Sequence, residues 1–218
     1  MARHLPPRLE RRKAVRDPKR RFTIICEGKN TEPAYFEALR ATFPDARIDV
    51  EVEPAAGMPM TIANRAAKLA KQRDSEVDSF AKNDEVWAMF DRDTHPNHAE
   101  AVGLCEAKRV GVARSNPCFE VWLILHFADF DRSDDHHAVQ RHFKTLCPDY
   151  DKNKGKRPDC QRFIDKVEEA ERRAEQQLKC RDAEGNPYGP PSTTVFRLTR
   201  AIRRAAELAR DPNAEKKK

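Results

Sequence analysis

The feature that most constrains this chain is a short apolar run, Phe22 to Cys26, which stops at Glu27-Gly28 before Thr31-Glu32-Pro33 opens a stretch with helical apolar spacing. An apolar run bounded by turn residues and followed by an amphipathic helix is the pattern of a buried parallel strand and its crossover. In such sheets ligands bind outside the carboxyl ends of the strands. Glu27 falls at that position, and Gly28 lets the chain turn sharply beside it. A second run, Glu85 to Phe90, ends in Asp91-Arg92-Asp93. Two strands that end in acids can bring three carboxylates to one edge.

The rest of the chain reads as scaffold for that edge. Tyr35, Phe36 and Leu39 form a helical stripe reaching about Thr42, with Thr31 as the expected N-cap. Ile48, Val50 and Val52 alternate with Asp49 and Glu51, the period of a half-exposed strand. Pro54, Gly57 and Pro59 mark a loop, and Thr61 begins a helix to about Phe80 with Ile62, Ala66, Leu69 and Ala70 inward. A helix is expected from Pro96 or Asn97 through Lys108, then a fourth strand over Arg109–Ala113. Alternating strands and helices predict an α/β fold with a parallel sheet flanked by helices. Phe119 to Phe127 is the most apolar stretch, and its Asn-Pro start inclines it to a buried helix. Further helices are predicted over about 134–147, 158–180 and 193–210, a helical C-terminal part. Ser192, Thr193 and Thr194 are available as caps for the last.

At 218 residues, 39% hydrophobic and 36% charged, the chain fits one soluble domain of ordinary size with a helical extension. The expected division is a basic flexible arm at 1–20, an α/β core at 21–130, a helical extension at 131–210 and a basic tail at 211–218. No stretch approaches the roughly 18 apolar residues of a membrane span, and no apolar segment follows the basic N-terminus as in a secretory signal. The six cysteines show no CxxC spacing and several sit in apolar runs. A disulfide framework or zinc knuckle is therefore not expected, and a reducing cytoplasm is the natural compartment. The net charge of +6 favours an anionic partner. Its basic residues cluster in the arm, from Lys152 to Lys156 and at Lys216–Lys218, as tracts that lie along a phosphate backbone do or as solvated tails do.

Asp91 and Asp93 are two apart, so in extended backbone they share a side, about 6.5–7 Å apart at their α-carbons. That spacing suits two carboxylates sharing a divalent cation such as Mg²⁺ or Mn²⁺, which prefer oxygen ligands. The plainer reading is an acidic strand end that caps the next helix or faces water. Glu27 likewise has a plain reading, an acid favoured by the dipole of the following helix, and Glu32 reads as a residue that helps this helix start. Glu120 is an acid inside an apolar run and needs a partner: a fourth acid at the site, or one of the arginines. His95 continues the alternation of Asp91 and Asp93, as a proton donor or as a solvent-facing loop residue. Other enzyme motifs are missing. GKNTE lacks the multi-glycine cradle of a P-loop, and neither GxGxxG nor GxSxG occurs.

Cys26-Glu27-Gly28 with Thr31-Glu32, Phe90-Asp91-Arg92-Asp93, Ser115-Asn116-Pro117-Cys118-Phe119-Glu120-Val121-Trp122-Leu123 and Pro191-Ser192-Thr193-Thr194 together resemble the RloB-like family over roughly residues 20–200. That family is similar to Toprim domains, the parallel α/β module of topoisomerases, primases and OLD-type nucleases. The hallmark is a glutamate after the first strand and a DxD after the third, here Glu27 and Asp91/Asp93. The resemblance implies metal-dependent phosphodiester cleavage in a bacterial defence setting, often beside an ABC- or AAA-type ATPase. It implies no substrate: DNA, tRNA and a nucleotide signal stay open. On the nuclease reading Asp91 and Asp93 hold metal, Glu27 is a ligand or general base, and Lys29 or Lys154 neutralises phosphate. Asn116 and Glu120 are active-site or packing residues. On the other reading the chain is a non-catalytic nucleic-acid-binding or regulatory subunit of an ATPase complex.

Overall fold

The computed structural model describes residues 19–52, 58–75, 83–92, 97–151 and 155–211. Most of the arm, the Pro54–Gly57 loop, Asp93, His95, Lys154 and the basic tail lie outside the described residues.

The apolar run becomes β1 (Arg21–Cys26), followed by α1 (Thr31–Thr42), β2 (Arg47–Val52), α2 (Pro59–Ser75), β3 (Glu85–Asp91), α3 (His98–Ala107) and β4 (Gly111–Asn116). The strands form one sheet with β2, β1, β3 and β4 parallel in that order. The two-residue β5 (Ser192–Thr193) adds to β4 antiparallel. This is the expected α/β fold with a mostly parallel sheet. The chain moves from β1 outward to β2, then returns to place β3 on the other side of β1. The reversal leaves a crevice between the carboxyl ends of β1 and β3, where open α/β sheets bind ligands.

Period-two alternation decides which face each strand residue joins. Phe22, Ile24 and Cys26 of β1 and Trp87 and Met89 of β3 pack under α1 and the C-terminal helices. Ile25, Val86, Ala88 and Phe90 pack under α2 and α3, against Ile62, Ala66, Ala101 and Cys105. Both faces are covered, which is why the strands read as near-continuous apolar runs.

The helical C-terminal part begins with α4 (Glu120–Ile124) and continues through α5 (His136–Leu146), α6 (Val167–Ala183) and α7 (Val195–Arg210). Asp135 caps α5 by accepting from the Ala138 amide at 2.9 Å. Buried Glu171 on α6 accepts from Arg203 of α7 at 2.7 Å and tethers the last two helices.

Several expectations are corrected. The fourth strand is Gly111–Asn116 rather than Arg109–Ala113, because β4 runs on until Ser115 pairs with Asp91. Arg109 instead takes a left-handed φ of 55° after α3, which ends at Ala107. The apolar stretch at 119–127 is helical only over Glu120–Ile124 and then continues in turns. The predicted helix at 158–180 starts as two 3-10 turns, Cys160–Arg162 and Ile164–Lys166, before α6. Between the turns Phe163 adopts φ −142°, and its ring meets His126 and Phe127. Ser192 and Thr193 are strand residues, and the Thr193 hydroxyl also accepts from the Val195 amide at 3.3 Å at the start of α7. Thr194 precedes α7, but its hydroxyl accepts from the Arg114 amide at 3.0 Å and does not cap the helix. The exposed edge of β4 has backbone groups that need partners, and this segment supplies them. Beyond Ser75, the predicted second helix passes outside the described residues.

Candidate active site

The carboxyl ends of β1 and β3 open into a cleft of about 360 Å³ whose lining includes Glu27, Glu32, Asp91 and Glu120. Each acid arrives from a different element. Glu27 follows β1, and Asp91 closes β3 on the side shared by Trp87 and Met89. Glu32 lies in the first turn of α1, and Glu120 begins α4. Glu27 and Asp91 are half-buried, while Glu32 and Glu120 are buried.

Glu32 sits in the first turn of α1, as expected of an acid that helps this helix start, and its carboxylate also turns back over Gly28 to line the cleft. Burial pushes its pKa up to about 7, and the charges of Glu120 and Glu27 push in the same direction. A Cβ at position 28 would overlap the Glu32 carboxylate, so a larger residue there would have to displace that side chain. The motif signal was present: the glycine is needed for this close approach and not for a positive φ.

Glu120 settles between its two expected partners. No arginine pairs with it among the described residues. Its Oε1 accepts a short hydrogen bond from the Tyr150 hydroxyl and a long one, 3.5 Å, from Gln140 Nε2. Gln140 Oε1 in turn accepts from Lys156 Nζ at 3.0 Å. The C-terminal extension therefore delivers a lysine to the mouth of the acidic cleft. Thr31, expected as an N-cap, instead donates its hydroxyl to the Lys156 carbonyl at 2.9 Å and pins that loop. The loop turns through Gly155 at φ 74° and Lys156 at φ 55°. A lysine in the left-handed region is uncommon and marks a position held by its surroundings.

Lys29 lines the same cleft and is exposed. Asn116 does not join the acids. It lies across the sheet edge in a second cleft and donates from Nδ2 to the Tyr188 carbonyl at 2.8 Å. Asp93, His95 and Lys154 lie outside the described residues.

The donor set around the acidic cleft is all oxygen, which suits a hard cation such as Mg²⁺ or Mn²⁺. Among the described residues, however, no three His, Cys, Asp or Glu side chains converge closely enough to hold a metal ion. Cys26 and Cys118 border the acids, but burial raises both thiols far above the usual range and the carboxylate charges add to it. They are therefore neutral thiols and poor ligands as they stand. All six cysteines are free, and among the described residues no helix is long and apolar enough to cross a membrane.

A family model described as RloB-like protein matches residues 22–217. No curated protein and no solved structure matches the chain.

Proposed function

The chain belongs to the RloB-like family, and from that premise we propose that its acidic cleft is the active centre of a Toprim-like, Mg²⁺- or Mn²⁺-dependent nuclease. Its substrate would be DNA or RNA, with tRNA included, and its setting bacterial anti-phage defence beside an ABC- or AAA-type ATPase. One observation carries the reading: Glu27 and Asp91 meet at the switch point of the sheet, joined by two further buried acids. Solvated surface acids do not gather in this way, because clustered carboxylates repel one another and need a compensating charge.

Glu27, Asp91 and Asp93 would hold the cation. When bound, it supplies a Lewis acid for phosphate oxygens and an acidified water. Lys156 and Lys29, at the mouth, offset phosphate charge. Glu32 exchanges a proton near neutrality at its carboxylate, while Glu120, held by Tyr150 and Gln140, positions Lys156 through the Gln140 amide.

The second reading is a non-catalytic nucleic-acid-binding or regulatory subunit, for which the net charge of +6 is sufficient. Purified protein incubated with plasmid and with total tRNA, in Mn²⁺ or in EDTA and with or without a candidate ATPase, separates the two. Cleavage that needs Mn²⁺ and disappears in the Asp91→Asn/Asp93→Asn variant is the expected result. Cleavage that survives the double substitution would remove these acids from the chemistry.

A further inference from the structure

The carboxyl edge of the sheet carries a second cleft, back to back with the acidic one. Asp91 pairs with Ser115 across β3 and β4, and the residues beside them, Phe90 and Arg114, form the next pair. Alternation sends Asp91 and Ser115 toward α1, and Arg114 toward α3. Arg92 follows Asp91 and lines the α3 side as well. The resulting cleft has a volume of about 800 Å³ and shares Ser115 with its acidic neighbour. One edge thus separates opposite charges.

Among the described residues no carboxylate forms an ion pair with Arg92 or Arg114. The Arg114 guanidinium lies 3.2 Å from the centroid of the Tyr188 ring. Arg92 Nη1 reaches the Tyr188 carbonyl at 3.4 Å. Tyr188 is held at φ 64°, a left-handed conformation rare for an aromatic residue. Its carbonyl also accepts from Asn116, so three side chains converge on this one residue. Facing them, His98 at the start of α3 has a buried Nε2 with no hydrogen-bond partner among the described residues. Most arginines elsewhere in the chain are matched to acids, as Arg65 is to Glu51 and Arg203 to Glu171. Among the described residues of the lining the only acid is Glu106, near the far end of α3.

We propose that this second cleft is a nucleotide subsite in which Arg92 and Arg114 hold a phosphate, while Tyr188 and Val102 supply apolar wall for the attached nucleoside. This rests on the reading of the acidic cleft as the site of phosphodiester chemistry, and it assigns the neighbouring nucleotide of the same substrate to the α3 side. Planar guanidiniums bind phosphate through paired N–H groups, and the ordering of Arg114 on a ring lowers the entropy lost on binding. The volume lies within the range of small-molecule sites. A phosphate here would also give the unsatisfied His98 Nε2 an acceptor once that nitrogen is protonated.

Gly103 makes the test clean. It lines the cleft on α3, and a Cβ added there would meet nothing within 4 Å. Gly103→Leu therefore fills the cleft while favouring the helix. Affinity of the full chain for a fluorescein-labelled 12-nucleotide single strand, DNA and RNA in parallel, is measured in EDTA with 5′-AMP as competitor. Gly103→Leu and Arg92→Gln/Arg114→Gln should each weaken strand binding at least tenfold with unchanged circular dichroism. Wild-type affinity in both of those variants would overturn the subsite. If 5′-AMP displaces the strand from wild type and fails to bind Gly103→Leu, the occupant is a free mononucleotide; if it does not compete, the occupant is a strand. The two proposals fail separately. Affinity lost in Gly103→Leu without any Mn²⁺-dependent cleavage by wild type keeps the subsite and removes the nuclease, and cleavage with unaltered affinity does the reverse.

Discussion

Gly28 and Glu32 are fitted to each other: the glutamate carboxylate occupies the space in which any other residue at position 28 would place its Cβ. Gly28→Ala should therefore destabilise the protein by about 1–3 kcal/mol, as overpacking at a buried contact does. Glu32→Ala should restore most of that loss when the two are combined. A double-mutant cycle by urea denaturation measures the coupling. Additive effects would show that the contact is not the cause.

The same carboxylate predicts a pH signature. The folded-state pKa of Glu32 lies near 7, above the ordinary value of 4.5, so the native state binds the extra proton between those values. Stability from this group is complete below about pH 4.5 and falls as pH rises through 7. Glu32→Gln, melted in EDTA, should gain on wild type progressively from pH 4.5 to 7 and by a constant margin above. A flat difference across that window would place the carboxylate in solvent.

His126 gives the opposite slope. It is fully buried, its Nδ1 donates to the Trp122 carbonyl at 3.1 Å, and its Nε2 accepts from the Tyr35 hydroxyl at 3.2 Å. Burial lowers its pKa from 6.5 to about 3. The unfolded chain therefore binds the proton first, and stability is lost as pH falls from 6.5 towards 3, by up to about 1.4 kcal/mol per unit. Urea midpoints at pH 7.5 and 4.5 should differ less in His126→Phe than in wild type.

Tyr150→Phe removes the short hydrogen bond to buried Glu120 and leaves the longer, 3.5 Å contact from Gln140. The expected cost is about 1–3 kcal/mol in thermal melts. Gln140→Leu should cost less by the same measure, because a 3.5 Å contact is at the limit of a hydrogen bond.

Glu27→Gln separates a site residue from a helix-dipole residue. A dipole role predicts about 0.3–1 kcal/mol of lost stability and intact cleavage. A ligand or general base predicts a fall in cleavage of about 10²–10⁴-fold, and stability in EDTA that is equal or higher. Cleavage and melting, measured on one preparation, read both.

The sequence alone determined the parallel strands and the acids at the ends of the first and third. Those features are written in short-range patterns: apolar runs, alternation, and turn residues within a few positions of each strand. The helical character of the last third was equally legible, as the helix expected over about 134–147 and found at His136–Leu146 shows. Only the tertiary structure decided what the acids meet. Thr31 bonds the Lys156 carbonyl across 125 residues, and Ser115 bonds Thr193 across 78. No local pattern carries such pairings, so Thr31 read as a cap and Thr193 as a helix start. Asn116 read with Glu120 as an active-site or packing residue of one motif, yet strand alternation put it across the sheet edge. Local chemistry sets which elements form; the burial of both sheet faces sets which side chains share a cleft.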